Sequence, residues 1–454
     1  MKAMPKVYFH YVRKCGKHGS LMRHACYFTT ILALSATALA AEGIGEQLKW
    51  NFQARARGEM RRNVYDFDSS RSAVTDDSWL LTRLRLGLEW QPVEWLKVTV
   101  QGQDVRESFS KRPDIPLQNG AEGDDAFDLR LASIEVGDPS RFSVKLGRQV
   151  LAYGDERLVG PLEWLNFSRT FDAVKLHIQR EGWWLDAFTS SVVRYHESEF
   201  NRSDWLGNGD VRNQFFSGLY YSNTKLLPFQ TTDLYAFHLH EEAFAGGNDF
   251  VTLGTRWKGD PLKLAGWDYT AEFAGQAGRV GGKALRAYAH HLEGGYNWLM
   301  SAWKPRLALE YSFGTGDSDP NDGRVHTFQN LFPTNHPPYG FMDTFSWQNM
   351  HNLVLRLAAQ PHAKVKTTLD FHSFWLATTG DAWYRANGTT RVRGINPNAN
   401  SHAGCELDFT VNAKLSQHLD MLLGYSHFFA GAYLADTGAS SNADFAYLML
   451  TLNY

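Results

Sequence analysis

Between Leu146 and Leu176 the sequence reads LGRQVLAYGDERLVGPLEWLNFSRTFDAVKL. Arg148, Arg157 and Arg169 are interleaved there with Asp155, Glu156, Glu163 and Asp172. A guanidinium group presents a planar fork of N–H donors that matches a carboxylate or phosphate bidentately. Arginines in this setting therefore either pair with neighbouring acids or hold an anionic solute. Tyr153, Trp164, Phe167 and Phe171 share the stretch with Gly147, Gly154, Gly160 and Pro161, residues that suit tight turns. Such a mixture predicts an ordered segment that folds inward and narrows whatever space it enters.

A second stretch, GDSDPNDG at 316–323, sets hard oxygen ligands at Asp317, Asp319, Asn321 and Asp322, which would suit calcium. It is not an EF-hand, because its glycine falls one place late and its twelfth position is Phe328. A polar turn capped by its own side chains is the preferred reading. No motif calls for a cofactor, and a structural calcium in this loop is the one candidate. Enzymatic chemistry finds little support: there is no G-x-S-x-G, no H-E-x-x-H and no cysteine–histidine metal spacing. His238 and His240 share a strand face and could bind a metal, although lumen or rim positions suit them better. An enzyme would further need a serine and a histidine at hydrogen-bond distance on the same wall.

These residues must be positioned by something, and the chain offers strands. In LKWNFQARA, Leu48 to Ala56, apolar residues alternate with Lys49, Asn51, Gln53 and Arg55, and Arg57 continues the polar side. A period of two is the signature of an extended chain with unlike faces. Similar alternation recurs near 47–57, 78–90, 95–105, 126–137, 141–150, 170–180, 182–194, 212–223, 232–241, 249–259, 266–279, 284–298, 304–314, 349–360, 364–376, 404–414, 418–430 and 444–454. Convincing helical periodicity is almost absent. Connections such as QPVE, GDPS, REG, QPHA and SQH are short, whereas those near 58–77, 106–125, 151–169, 195–211, 315–348 and 377–403 are long.

Short turns on one rim and long loops on the other predict an all-β fold: a transmembrane antiparallel β-barrel of about 18 strands, with 16 the nearest alternative. Its short turns would be periplasmic and its long loops extracellular. A propeller would repeat every 40–50 residues or so, which the chain does not do. A secreted sandwich would give no reason for the alternation of loop lengths. On the barrel reading Trp50 and Phe52 face lipid, while Arg55 and Arg57 face water inside.

Composition agrees with export. Residues 1–40 carry six basic and no acidic residues, then an apolar run ending in Ala38-Leu39-Ala40, the layout of a removed secretory signal. Translation from Met22 would give a signal of ordinary length. Cys15 and Cys26 fall within it, so residues 41–454, the barrel, keep Cys405 alone and no internal disulfide. Of 46 Lys and Arg, 40 then remain against 48 Asp and Glu, a balance that offers nucleic acid no basic surface. The final strand, AYLMLTLNY, alternates and ends on an aromatic residue, which resembles the signal read by the bacterial barrel-assembly machinery.

Projected inward, the strands line a lumen with Arg55, Arg57, Arg83, Arg85, Arg130, Arg306 and Arg356, together with Lys49 and Lys366. Glu89, Asp128, Glu272, Glu310, Asp370 and Asp408 are mixed among them. The lining either attracts anions or forms an arginine–carboxylate ladder that merely keeps the lumen polar.

GRQVLAYGDERLVGPLEWLNFSRTFDAV resembles a signature segment of the alginate export family of outer-membrane porins. GTGDSDPNDGRVHTFQNLFPTNHPPYGFMDTFSWQN, residues 314–349, resembles the same family. The resemblance implies a monomeric eighteen-stranded barrel in the bacterial outer membrane, in contact with its lipid. It implies an Arg-lined constriction passing an anionic polyuronate, with Arg148, Arg157 and Arg169 on the pathway. A general or substrate-specific uptake porin is the alternative. A receptor that displays its loops over a plugged lumen and a barrel enzyme are the remaining readings.

Overall fold

The computed structural model describes residues 47–111, 124–196, 199–205, 211–243, 246–336, 338–388 and 391–454. The expected export signal, with Cys15 and Cys26, lies outside them. Eighteen long strands follow in chain order. The first nine are β1 Leu48–Arg62, β2 Asp77–Val93, β3 Leu96–Ser108, β4 Asp125–Asp138, β5 Phe142–Gln149, β6 Phe171–Arg180, β7 Trp183–Arg194, β8 Val211–Asn223 and β9 Gln230–Ala243. The others are β10 Asn248–Gly259, β11 Trp267–Val280, β12 Lys283–Asn297, β13 Arg306–Gly314, β14 Met350–His362, β15 Val365–Leu376, β16 His402–Lys414, β17 Leu419–Ala430 and β18 Ala443–Asn453.

Each strand pairs with its neighbour, and β18 returns antiparallel to β1, so the sheet has no open edge. In lipid an open edge would leave a row of backbone groups without partners, which is why only a closed sheet can span. The closing seam runs from Gln53↔Asn453 to Arg62↔Asp444. Its register keeps Ala54 beside Leu452 and Ala56 beside Leu450 on the outside, while Arg55, Arg57 and Glu59 turn inward. Leu86, Leu253, Leu309 and Leu355 are exposed on the outer wall. Trp50, Trp90, Trp95, Trp267, Trp298 and Trp303 are exposed near the short-turn rim, as expected of an aromatic girdle at a membrane boundary. The outward placement expected for Trp50 is thus observed.

The long connections 63–76, 150–170, 315–349, 377–401 and 431–442 all leave the opposite rim. The link from β11 to β12 on that rim is instead a two-residue hairpin of Gly281 (φ 57°) and Gly282 (φ 80°), a turn that needs left-handed backbone at both positions.

The interior departs from the polar bore that strand alternation predicts. Phe171, Phe188, Phe216, Tyr220, Tyr235 and Phe237 point inward from β6–β9 and are buried. The connections 150–170 and 315–349 fold down onto them. Tyr153 stacks on Tyr220 with centroids 4.7 Å apart, and Phe332 meets Phe216 at 4.8 Å. Aromatic pairs of this kind contribute about 0.5–1.5 kcal/mol each beyond the area they bury. The two connections also join each other: Gly160 N donates to Phe332 O (2.8 Å), and Phe332 N donates to Leu158 O (2.8 Å). Elsewhere in the core, Phe67, Trp383 and Tyr433 from the connections after β1, β15 and β17 pack together with Phe428 of β17. Arg385 and Arg393 tie these together through the carbonyls of Val64, Asp66 and Ala439. Each inward connection gains a real hydrophobic core, which explains why long segments with little regular structure are ordered.

Candidate functional site

The inward alternation of β1, β2 and β4 brings Arg55, Arg57, Arg83, Arg85 and Arg130 to one region of the wall, where residues 162–168 cross it. Leu162 (φ 50°) and Ser168 (φ 58°) both adopt left-handed backbone, which turns the segment sharply at each end. Arg55 Nη1 donates to Glu163 O (2.7 Å) and its Nη2 to Asn166 Oδ1 (3.1 Å). Arg57 donates to Trp164 O, lies 3.8 Å from the centroid of the Trp164 ring and pairs with Glu59 at 2.7 Å. The lumen water expected at Arg55 and Arg57 is replaced by this segment, since both are buried (5% and 0% exposed).

The Glu163 side chain sits among three guanidinium groups. Its Oε2 lies 2.8 Å from Arg85 and 3.1 Å from Arg83, and its Oε1 lies 2.6 Å from Arg130. Side-chain amides set the arginines: Arg83 donates to Gln53 Oε1 (2.8 Å), Arg85 to Gln103 Oε1 (2.7 Å) and Arg130 to Gln101 Oε1 (2.8 Å). Ser168 Oγ accepts from Arg85 at 2.8 Å and from Arg130 at 3.2 Å. Burial on its own would raise the Glu163 carboxyl, but Arg85, Arg83 and Arg130 outweigh it and bring the pKa down to about 2. The exposures are unequal. Glu163 keeps 42% of its side chain accessible, against 4%, 5% and 8% for Arg83, Arg85 and Arg130.

Cavities flank this cluster. One, of about 310 Å³, opens towards the short-turn rim and is lined by Asn51, Gln53, Arg85, Gln101, Arg130 and Asn453. The other, towards the long-loop rim, is a void of about 20 Å³, water-sized, lined by Gln103, Asp128, Arg130, Phe167, Ser168, Tyr195 and Asn201. Arg130 belongs to both.

The remaining predicted arginines sit in other surroundings. Arg306 pairs with Asp268 (2.5 Å) and Glu293 (2.6 Å), and Arg356 with Asp370 (2.9 Å) and Glu310 (3.3 Å). Arg157, from the inward connection, reaches Glu310 at 3.0 Å and His291 Nε2 at 3.1 Å. Arg169 donates to Gly160 O (3.0 Å) and Pro333 O (2.9 Å), so it clips the two inward connections together. Burial brings its guanidinium pKa down to about 10. Arg148, which the family resemblance puts on the pathway, lies off it. By alternation it shares the outer face of β5 with Phe142 and Leu146, and it forks onto Asp172 of β6 at 2.9 and 3.2 Å. Lys49 and Lys366 are exposed near the short-turn rim.

His238 and His240 are also outside rather than in the lumen, sharing the face of Leu234 and reaching Asp249 at 2.8 and 3.6 Å. In the acidic loop the side chains of Asp317, Asp319 and Asp322 accept the backbone N–H groups of Asp319, Asn321 and Arg324. Among the described residues no group of three or more His, Cys, Asp or Glu is arranged to hold a metal. A serine–histidine contact does exist, from His291 Nδ1 to Ser312 Oγ at 3.1 Å, but both residues are buried with Glu310 beneath Arg157. A substrate cannot reach a serine that is 0% exposed.

The sequence alone assigns no role to Glu163 or to Gln53, and it does not single out Glu59, Gln101, Gln103, Ser168 or Arg256. Arg256 bridges Asp155 (2.7 Å) and Asp233. The alternation of β1–β3 already placed the three glutamines on the arginine face, and that was the signal available for them.

A family model described as alginate export matches residues 46–447. No curated protein matches the chain. Among solved structures, OpdQ of Pseudomonas aeruginosa is 11% identical with a TM-score of 0.59, covering 90% of this chain and 98% of its own. OccAB1 of Acinetobacter baumannii is 14% identical at a TM-score of 0.58, covering 91% and 98%. OpdK of P. aeruginosa, solved with vanillate, is 12% identical at 0.57, covering 89% and 98%. At these identities the likeness is one of fold.

Proposed function

From the premise that this chain belongs to the alginate export family, we propose that it passes an anionic saccharide of the polyuronate class through the arginine cluster around Glu163. The protein is a bacterial outer-membrane β-barrel channel, akin in fold to outer-membrane porins. The observation that carries the finer reading is the seat of Glu163. A carboxylate already occupies a site built from buried guanidinium groups, and a uronate presents the same group on every sugar. Preorganised donors of this kind bind carboxylates through charge-assisted bonds without reorganising. Transit needs no covalent chemistry, so the conducting step is diffusion with transient pairing at Arg85 and Arg130.

The vanillate with which OpdK was solved favours a second reading, because the same seat suits a small monocarboxylate. The two readings part in a planar bilayer. On the first, polyuronate interrupts the single-channel current of the refolded barrel at low concentration, and a monomeric carboxylate does so only weakly. A current indifferent to polyuronate and sensitive to monomeric carboxylates hands the channel to the second reading.

A further inference from the structure

We propose that the Glu163 carboxylate is a displaceable occupant of the seat made by Arg85 and Arg130, so that a solute opens the constriction by exchanging its own carboxylate for it. This rests on the channel reading above and adds a gate to it.

The connection is held in two separable ways. Its backbone is held by Arg55, Arg57 and Arg83, which donate to the carbonyls of Glu163, Trp164 and Leu165. Its one carboxylate in the cluster is held by Arg85 and Arg130, at 2.8 and 2.6 Å, and by Arg83, which also holds the backbone, at 3.1 Å. The Glu163 side chain can therefore swing away while residues 163–166 stay docked. The accessibilities agree: the arginines are nearly sealed, and the glutamate is 42% open. The seat persists without its occupant because Gln103, Gln101 and Ser168 still fix Arg85 and Arg130.

The position is a junction. Arg130 lines both the 310 Å³ cavity on the short-turn side and the water-sized void of about 20 Å³ on the long-loop side, and Glu163 is bonded to it. Exchange conserves the interactions, since a carboxylate that enters replaces one charge-assisted pair with another like it. A neutral solute offers no such replacement, and displacing Glu163 would take the carboxylate from three buried guanidinium groups. The constriction thus selects for carboxylates by what it must release as well as by what it binds.

The test compares the full barrel with its Glu163→Gln variant by single-channel recording, with trigalacturonate as probe and maltotriose as its neutral counterpart. Heat-modifiable gel mobility establishes that each barrel is folded. Exchange predicts that trigalacturonate binds Glu163→Gln about tenfold more tightly, about 1.4 kcal/mol, with maltotriose unchanged. Should Glu163→Gln not fold, Glu163→Asp keeps the charge but shortens its reach, and a smaller tightening in the same direction is expected. Trigalacturonate that binds the wild type and the variant equally overturns the gate and leaves the channel reading standing. Trigalacturonate that interacts with neither overturns both.

Discussion

The barrel holds its arginines in two contrasting regions. On β1, β2 and β4, Arg55, Arg57, Arg83, Arg85 and Arg130 meet the carboxylates of Glu59 and Glu163, the latter borrowed from a loop. Across the lumen, Arg157, Arg256, Arg306 and Arg356 meet Asp155, Asp233, Asp268, Glu293, Glu310 and Asp370. Among the described residues the first region thus has more guanidinium groups than carboxylates, and the second has fewer. Arg306 and Arg356 are fixed by strand neighbours and act as struts, while Arg256 holds both Asp233 of its neighbouring strand and Asp155 of the inward connection. An arginine whose acid comes from a half-exposed loop side chain can change partners.

The contrast is sharpest where it is broken. Glu310→Gln removes the acid shared by Arg157, Arg356 and His291 at a site that is 1% exposed. Breaking a buried pair from one side costs about 3–5 kcal/mol. The variant should lose its folded gel mobility at markedly lower urea or temperature, with ion selectivity unchanged; altered selectivity at full stability would mean the second region also lines the path.

A gentler probe is pH. The Glu163 carboxyl is held down to about 2, from an ordinary 4.5. A depressed pKa means that the clamp is fully present above the ordinary value and is lost only as pH falls through about 2. The reversal potential in a salt gradient should therefore hold from about pH 7 to below pH 4. A step centred near 4.5 would show an unclamped carboxylate. The smallest effect is expected at Arg148→Ala. Its fork onto Asp172 is on the outer face and away from the arginine cluster, so selectivity should not move. A shift in selectivity would return Arg148 to the path.

Much of this was legible beforehand. Eighteen expected strands correspond one to one with β1–β18, because lipid outside and polar groups inside impose a period of two over most of the chain. Stretches such as QFFSGLYY in β8 blur the pattern: Phe215 and Leu219 face out while Phe216 and Tyr220 face in, each apolar for a different reason. The inner pair serves as a floor for the folded connections, and alternation cannot reveal a partner more than a hundred residues away. The same limit applies to Glu163. Its loop could be seen to be ordered, but three arginines from β2 and β4 converge on it only once the barrel closes. The family resemblance carries Arg148 onto the pathway as a member of a motif, whereas its facing is decided by its register with Asp172.

The proposed channel stands or falls with Arg85 and Arg130, which set the constriction's preference for anions. The deciding quantity is the zero-current potential of single channels in a salt gradient, for the wild type and for Arg85→Gln with Arg130→Gln. We expect an anion-preferring wild type and a double variant whose preference falls to neutral or reverses, with the barrel still folded. Identical potentials in the two proteins would contradict that role.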